Sequence, residues 1–128
     1  MSKILIKPSK HADEAILRKT EFVLTQEKQV VIHFTFKCKP GMAFRIWKTT
    51  YLITERGNKI PLIFWSGISL YPKWTRLNHV GKYQFTLIFN GLPNECRVFS
   101  LVEEINEPGG FLVNNLIRNE EDVYQIIL

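Results

Sequence analysis

Cysteine, histidine and aspartate are scarce in this sequence, and their scarcity limits the chemistry that the chain can support. Its 128 residues include two cysteines, three histidines and two aspartates. Neither an H-x-x-x-H nor a C-x-x-C spacing occurs, so a zinc site has no support. Two cysteines do not make a disulfide framework in a domain of this size. Cys38 and Cys96 are therefore expected not to be bridged, with Cys38 buried and Cys96 exposed near a loop.

A secretory leader and long apolar runs are also missing. Met1, Ser2 and Lys3 are followed by only three apolar residues, whereas the hydrophobic region of a signal peptide needs about 7–15. The hydrophobic fraction of 45% and the charged fraction of 23% are ordinary for a globular protein. These features predict a cytoplasmic protein without a membrane span.

Arrangements for catalysis are absent as well. Ser66 and Ser69 do not form a G-x-S-x-G nucleophile elbow. Glu103 and Glu104 are adjacent, so in a strand their side chains point to opposite faces and cannot act as an acid–base pair. Residues 120–122 supply three carboxylates without the spaced ligands of a calcium loop, which favours a solvated acidic turn. The sequence therefore predicts no enzyme, no catalytic residue, no metal and no cofactor.

Aromatic residues, by contrast, are plentiful: nine Phe, four Tyr and three Trp, which fit a pleated strand surface better than a helix. Short apolar segments alternate with turn residues at intervals of about 8–15 residues, a spacing typical of all-β domains. One short helix is predicted at 9–17, with Ser9 as its N-cap. The predicted strands cover residues 18–25, 29–38, 44–53, 59–65, 83–89, 97–102, 111–117 and 123–128.

The clearest alternation lies in residues 29–38 and 83–89, where every second side chain is apolar. This periodicity predicts that the main core contains Phe34, Phe36, Phe85, Leu87 and Phe89. No linker or repeat divides the chain, so residues 1–128 are expected to form a single domain. The predicted fold is an all-β, two-sheet sandwich of about seven to nine mostly antiparallel strands.

A set of fold-forming residues is shared with a known group of domains: Thr49 to Ile53, Gly57, Pro61 and Leu62, Gly67 to Leu70, Phe85 to Phe89, Leu92 and Pro93, and Glu103. With these residues the chain resembles small uncharacterised β-sandwich domains of Bacteroidetes-type bacteria, over roughly residues 20–128. The resemblance implies an immunoglobulin-like sandwich but no particular chemistry.

Charge is distributed unevenly along the chain. Residues 1–82 hold 15 Lys or Arg and 5 Asp or Glu, a net charge of +10, whereas residues 83–128 hold 2 and 7, a net charge of −5. Such asymmetry indicates a polyanionic partner, unless strands from the two parts interleave and cancel it in space.

Residues 64–83 interleave aromatic and cationic side chains and form the candidate binding surface: Trp65, Tyr71, Lys73, Trp74, Arg76 and Lys82. Aromatic faces beside cations stack the bases of single-stranded nucleic acid or sugar rings, and also anchor protein interfaces. The alternative is structural: Trp65 and Tyr83 belong to the core, and Trp74 is buried at one end of the sandwich. The exposure of Trp74 distinguishes the two interpretations.

The function favoured by these observations is that of a non-catalytic binding or assembly module, whose partner is another protein or a second copy of the chain. The first alternative is a polyanion or single-stranded nucleic-acid binder that uses the 64–83 segment. The second alternative is an enzyme whose site follows no recognisable motif.

Overall fold

The computed structural model describes residues 28–78 and 80–128. The predicted helix 9–17 and the predicted strand 18–25 lie outside these residues. The described chain forms strands β1 (Val30–Cys38), β2 (Ala43–Phe44), β3 (Thr50–Thr54), β4 (Lys59–Ser66), β5 (Thr75–Arg76), β6 (Gly81–Phe89), β7 (Val98–Glu103), β8 (Leu112–Ile117) and β9 (Val123–Ile127). It contains no helix, and the prediction of an all-β fold is confirmed.

Seven of these strands form one sheet, in the order β8-β7-β3-β4-β6-β1-β9, and β2 pairs with β5 in a small separate ribbon. Neighbouring strands are antiparallel, except that β9 runs parallel to β1. The immunoglobulin-like, two-sheet sandwich is not confirmed, because the long strands belong to one continuous sheet and are not divided between two facing sheets. The prediction of mostly antiparallel pairing agrees with the structure.

The core lies on the inner face of this sheet, where alternate side chains of β1 and β6 meet. Phe34 pairs with Phe85 across the two strands, and their rings stack with centroids 4.7 Å apart. Leu87 and Phe89 are fully buried, and Phe36 is partly buried against the same cluster. The prediction of these five core residues from period-2 alternation is confirmed.

The sheet curls so strongly that strands near its two edges touch. In a flat sheet, β7 and β9 would be separated by five strand spacings of about 4.8 Å, or about 24 Å. The rings of Phe99 on β7 and Tyr124 on β9 nevertheless lie 5.2 Å apart. The sheet is therefore a half-barrel whose concave side holds the core.

A buried ion pair holds the link between the two edge strands, β8 and β9. The Arg118 guanidinium donates to both carboxylate oxygens of Asp122, at 3.0 and 2.9 Å, and also to the carbonyls of Pro93 and Cys96. The Tyr124 hydroxyl donates to Asp122 at 2.9 Å, and burial is the main cause that raises the pKa of Tyr124 to about 12. The prediction that residues 120–122 form a solvated acidic turn is wrong for Asp122, whose side chain this network buries.

Cys38 and Cys96 are both buried thiols. Cys96 was expected to be exposed because it follows a turn, but it packs into the hydrophobic core, and its Sγ donates to the Val98 carbonyl at 3.4 Å. Leu92, in the same connection between β6 and β7, is also fully buried.

The predicted continuous strand 44–53 is interrupted in the structure. Residues 43–44 belong to β2 and residues 50–54 to β3. Between them, Ile46 forms an isolated parallel bridge with Leu70, because its amide donates to Ser69 and its carbonyl accepts from Tyr71. This interruption brings residues 45–47 beside residues 69–71.

Candidate binding surface at one end of the sheet

One end of the half-barrel collects most of the residues that the sequence marks as candidates. Strands β1, β4 and β7 end there, and β3, β6 and β8 begin there, as their registers require. The described connecting residues at this end are 39–49, 67–78, 80 and 104–111. The β2–β5 ribbon and the Ile46–Leu70 bridge join the first two of these connections.

Four side chains at this end form what we call the aromatic–arginine cluster: Arg45, Trp47, Tyr71 and Trp74. The Trp47 and Tyr71 rings stack with centroids 3.8 Å apart and planes inclined by 21°. The Arg45 Cζ lies 4.5 Å from the Tyr71 ring centre and 3.8 Å from that of Trp74. Both distances are within the range of cation–π attraction, so one guanidinium holds the two exposed rings in place.

Besides these ring contacts, Arg45 and Trp47 make polar contacts that fix their positions. Arg45 donates to the Pro72 carbonyl at 3.2 Å, and its guanidinium lies 3.8 Å from the Glu107 carboxylate. The Trp47 amide donates to Glu103 at 3.0 Å, and its carbonyl accepts from the Thr50 hydroxyl at 2.6 Å. The cluster is therefore preorganised by the fold.

The loop that carries Trp74 is closed by side-chain hydrogen bonds at its base. The Thr75 hydroxyl accepts from the Ser69 amide at 2.7 Å and donates to the Ser69 hydroxyl at 2.8 Å. The approach to this loop passes Gly67, where a Cβ would lie 3.1 Å from the Gln84 carbonyl and the backbone has a φ of +82°. Both the positive φ and the close carbonyl favour glycine at this position.

The six candidate residues differ in their surroundings. Tyr71 and Trp74 are 43% and 48% exposed, and Arg45 brings them together. Lys73, Arg76 and Lys82 are exposed at the same end of the sheet. Trp65 is partly buried against the core, as the structural interpretation expected, with the Lys48 ammonium 5.6 Å from its ring centre. Trp74 does not have the buried position that this interpretation required.

Sequence reasoning missed Arg45 and Trp47. They fall within the predicted strand 44–53, and their contacts lie 24 to 29 positions further along the chain. Their only local signal is that they occupy the opposite parity to Phe44 and Ile46, which pack inward. That alternation becomes informative only when the bridge from Ile46 to Leu70 is known.

Glu103, whose carboxylate accepts the hydrogen bond from the Trp47 amide, is half-buried. Burial is the largest cause that raises its pKa above 4.5, opposed by amide hydrogen bonds from Trp47 and Phe111 and by the charge of Arg45. Because ionisation is penalised in the folded state, stability is greatest when Glu103 is protonated. That stability is lost as the pH rises through the raised pKa.

Glu103→Gln should therefore gain stability relative to the unsubstituted protein as the pH rises from about 4 to about 7. The glutamine retains an oxygen that can accept from the Trp47 amide but does not ionise. Denaturant unfolding of both proteins across this pH range gives the difference directly. A difference in the free energy of unfolding that is constant with pH, or that changes in favour of the unsubstituted protein, would contradict the raised pKa of Glu103.

A concavity of about 270 Å³ lies at the opposite end of the sheet and is lined in part by Thr54, Glu55, Asn58 and Cys96. Burial is the main cause that raises the pKa of the Cys96 thiol. A reactive cysteine needs the reverse shift, towards thiolate. The direction of this shift does not activate Cys96 as a nucleophile.

No family model, curated protein or solved structure matches the chain. Among residues 28–78 and 80–128, no group of three His, Cys, Asp or Glu side chains is placed to hold a metal ion. The same part of the chain has no helix with the length and apolarity needed to cross a membrane.

Proposed function

We propose that this β-domain is a non-catalytic binding or assembly module that contacts its partner through the aromatic–arginine cluster. The observation that carries the proposal is the arrangement of Trp74 and Tyr71, both almost half exposed and both held against the Arg45 guanidinium. Tryptophan, tyrosine and arginine are the residue types that most often dominate binding energy at interfaces.

Preorganisation of the cluster supports the same proposal. Arg45 has four partners in Tyr71, Trp74, Pro72 and Glu107. A flexible arginine loses rotamer freedom when a partner immobilises it, at a cost of about 0.5–1.5 kcal/mol. Here folding has already met that cost, so more of the contact energy contributes to affinity.

Trp74→Ala should weaken partner binding by about 30-fold, the effect of losing one interface anchor worth about 2 kcal/mol. The measurement is quantitative affinity capture from an extract of the native cells, with and without nuclease. Ile117→Ala is the matched control, because Ile117 is also an exposed apolar residue but lies at the other end of the sheet.

The unsubstituted protein and the Ile117→Ala variant should retain the same partner, and the Trp74→Ala variant should lose it. Unfolding curves of all three proteins establish that each is folded. Equal capture by the Trp74→Ala variant would show that the cluster is not the contact surface. Sensitivity of the captured material to nuclease identifies its chemical class.

A further inference from the structure

We infer that the partner of the aromatic–arginine cluster is single-stranded nucleic acid, with bases stacked on Trp74 and Tyr71 and phosphates held by the surrounding lysines and arginines. This inference rests on the proposed function and gives its partner a chemical class.

The first support is the charge around the cluster. Residues 28–94 contain ten lysines and arginines but only one carboxylate, Glu55. The strand registers and connections place seven of these cations at the end of the sheet that carries the cluster: Lys37, Lys39, Arg45, Lys48, Lys73, Arg76 and Lys82. The asymmetry seen in the sequence therefore persists in space.

The carboxylates that the structure places at this end cancel only part of this charge. Glu103 accepts from the Trp47 amide, Glu104 pairs with Lys59 at 2.9 Å, and Glu107 lies near Arg45. Only one of the three is paired with one of the seven cations. Seven cations and three carboxylates leave a net charge of +4 among these groups, so the potential around the exposed rings is positive.

The second support is a pair of like charges on neighbouring strands. Lys37 on β1 and Lys82 on β6 lie directly opposite each other in the antiparallel register, and both side chains are exposed. Like charges in directly opposed positions destabilise a sheet. A phosphate bound between the two ammonium groups would offset this repulsion. The pair is therefore suited to binding an anion.

The cationic positions continue from this pair to the aromatic rings. Lys39 follows β1 directly, and Gly41, two residues later, donates its amide to the Leu77 carbonyl. Arg76 precedes Leu77 and lies two residues after Trp74, about 7 Å along an extended chain. Lys39, Arg76 and Trp74 thus lie on neighbouring segments of the chain, where the phosphates of a strand stacked on the rings could meet the cations.

The chemistry of the surface favours single strands over the other partner classes. Aromatic side chains stack on base faces, which are accessible in a single strand and covered by neighbouring pairs in a duplex. Protein interfaces, by comparison, are depleted in lysine. Five of the seven cations here are lysines.

Fluorescence anisotropy with labelled oligonucleotides tests the inference. The probes are about 20 thymidines of single-stranded DNA, the corresponding uridine RNA, a duplex of the same length and an abasic strand with the same number of phosphates. We expect one of the two single strands to bind at least about 10-fold more tightly than the duplex and the abasic strand. Trp74→Ala should weaken that binding by about 10-fold or more.

The salt dependence of binding tests the phosphate contacts separately. Lys82→Gln should reduce the slope of log affinity against log salt by about 0.7, the value for one phosphate contact on a single strand. Lys28→Gln removes the same charge at the opposite end of the sheet, where the Lys28 ammonium donates to the Glu120 carbonyl. This substitution should leave the slope unchanged.

Equal binding of the abasic strand, preference for the duplex, or no binding of either single strand would each overturn the inference. The proposed function would survive if affinity capture still retained a nuclease-resistant protein partner in a Trp74-dependent manner. If that capture is also independent of Trp74, the proposed function fails as well. The two experiments together therefore separate the two failures.

Discussion

Asp122→Asn is expected to destabilise the fold by about 3 kcal/mol, the lower end of the range for breaking a buried ion pair. Asp122 is 2% exposed, and its carboxylate accepts from Arg118 twice and from the Tyr124 hydroxyl. Its φ of 57° is one that asparagine also tolerates, so the substitution removes the charge with little change in the backbone. Arg118 then remains charged without its counterion.

Denaturant unfolding measures this loss, and Glu121→Gln is the matched control. Glu121 is the neighbouring acidic residue, but its side chain is exposed, so its substitution should change stability by no more than about 0.5 kcal/mol. If both variants lose the same small amount, the Arg118–Asp122 pair is not what holds the link between β8 and β9.

Phe34→Ala should cost about 3–5 kcal/mol, because it removes a fully buried ring and leaves a cavity. The Phe34 ring stacks on Phe85 at 4.7 Å and lies 5.7 Å from Phe111, which precedes β8. The same substitution therefore loosens the packing between β1 and β6 and the contact with Phe111, beside the edge strand β8.

Phe64→Ala provides the comparison, since Phe64 is 55% exposed on β4. It should change the free energy of unfolding by about 0.5 kcal/mol or less, as exposed substitutions usually do. A loss below about 1 kcal/mol for Phe34→Ala would mean that the inner face of β1 has been assigned incorrectly.

The strands with one buried face were predictable from the sequence. In β1 and β6, apolar side chains at every second position reflect one buried face, and the observed bounds follow the predicted ones closely. The β3–β4 hairpin agrees with the consecutive predicted strands 44–53 and 59–65, and Gly57 between them supplies the positive φ of the turn. Local periodicity and turn chemistry were sufficient for these elements.

The arrangement of the strands was not predictable in the same way. The parallel pairing of β9 with β1 joins residues about 90 positions apart, and no local pattern encodes it. Curvature is equally non-local, because it depends on how rings such as Phe99 and Tyr124 pack across the concave side. A two-sheet sandwich and a curled sheet require the same alternation along each strand.

The candidate site was predicted only in part, because some of its residues come together through contacts between distant parts of the chain. Tyr71 and Trp74 were identified because they stand among cations within one short segment. Arg45 and Trp47 were missed because the interruption of the strand at Ile46 depends on a distant partner, Leu70. The burial of Asp122 was missed because Arg118, its ion-pair partner, lies outside the acidic run.

Photocrosslinking from position 74 tests most directly the claim that the aromatic–arginine cluster is the contact surface. One variant carries a photoreactive benzoylphenylalanine in place of Trp74, and a second carries it in place of Ile117, which is also exposed but lies at the other end of the sheet. Both are irradiated in an extract of the native cells. We predict a discrete crosslinked species from position 74 and none from position 117. Crosslinking from position 117 alone, or from neither position, would contradict the account.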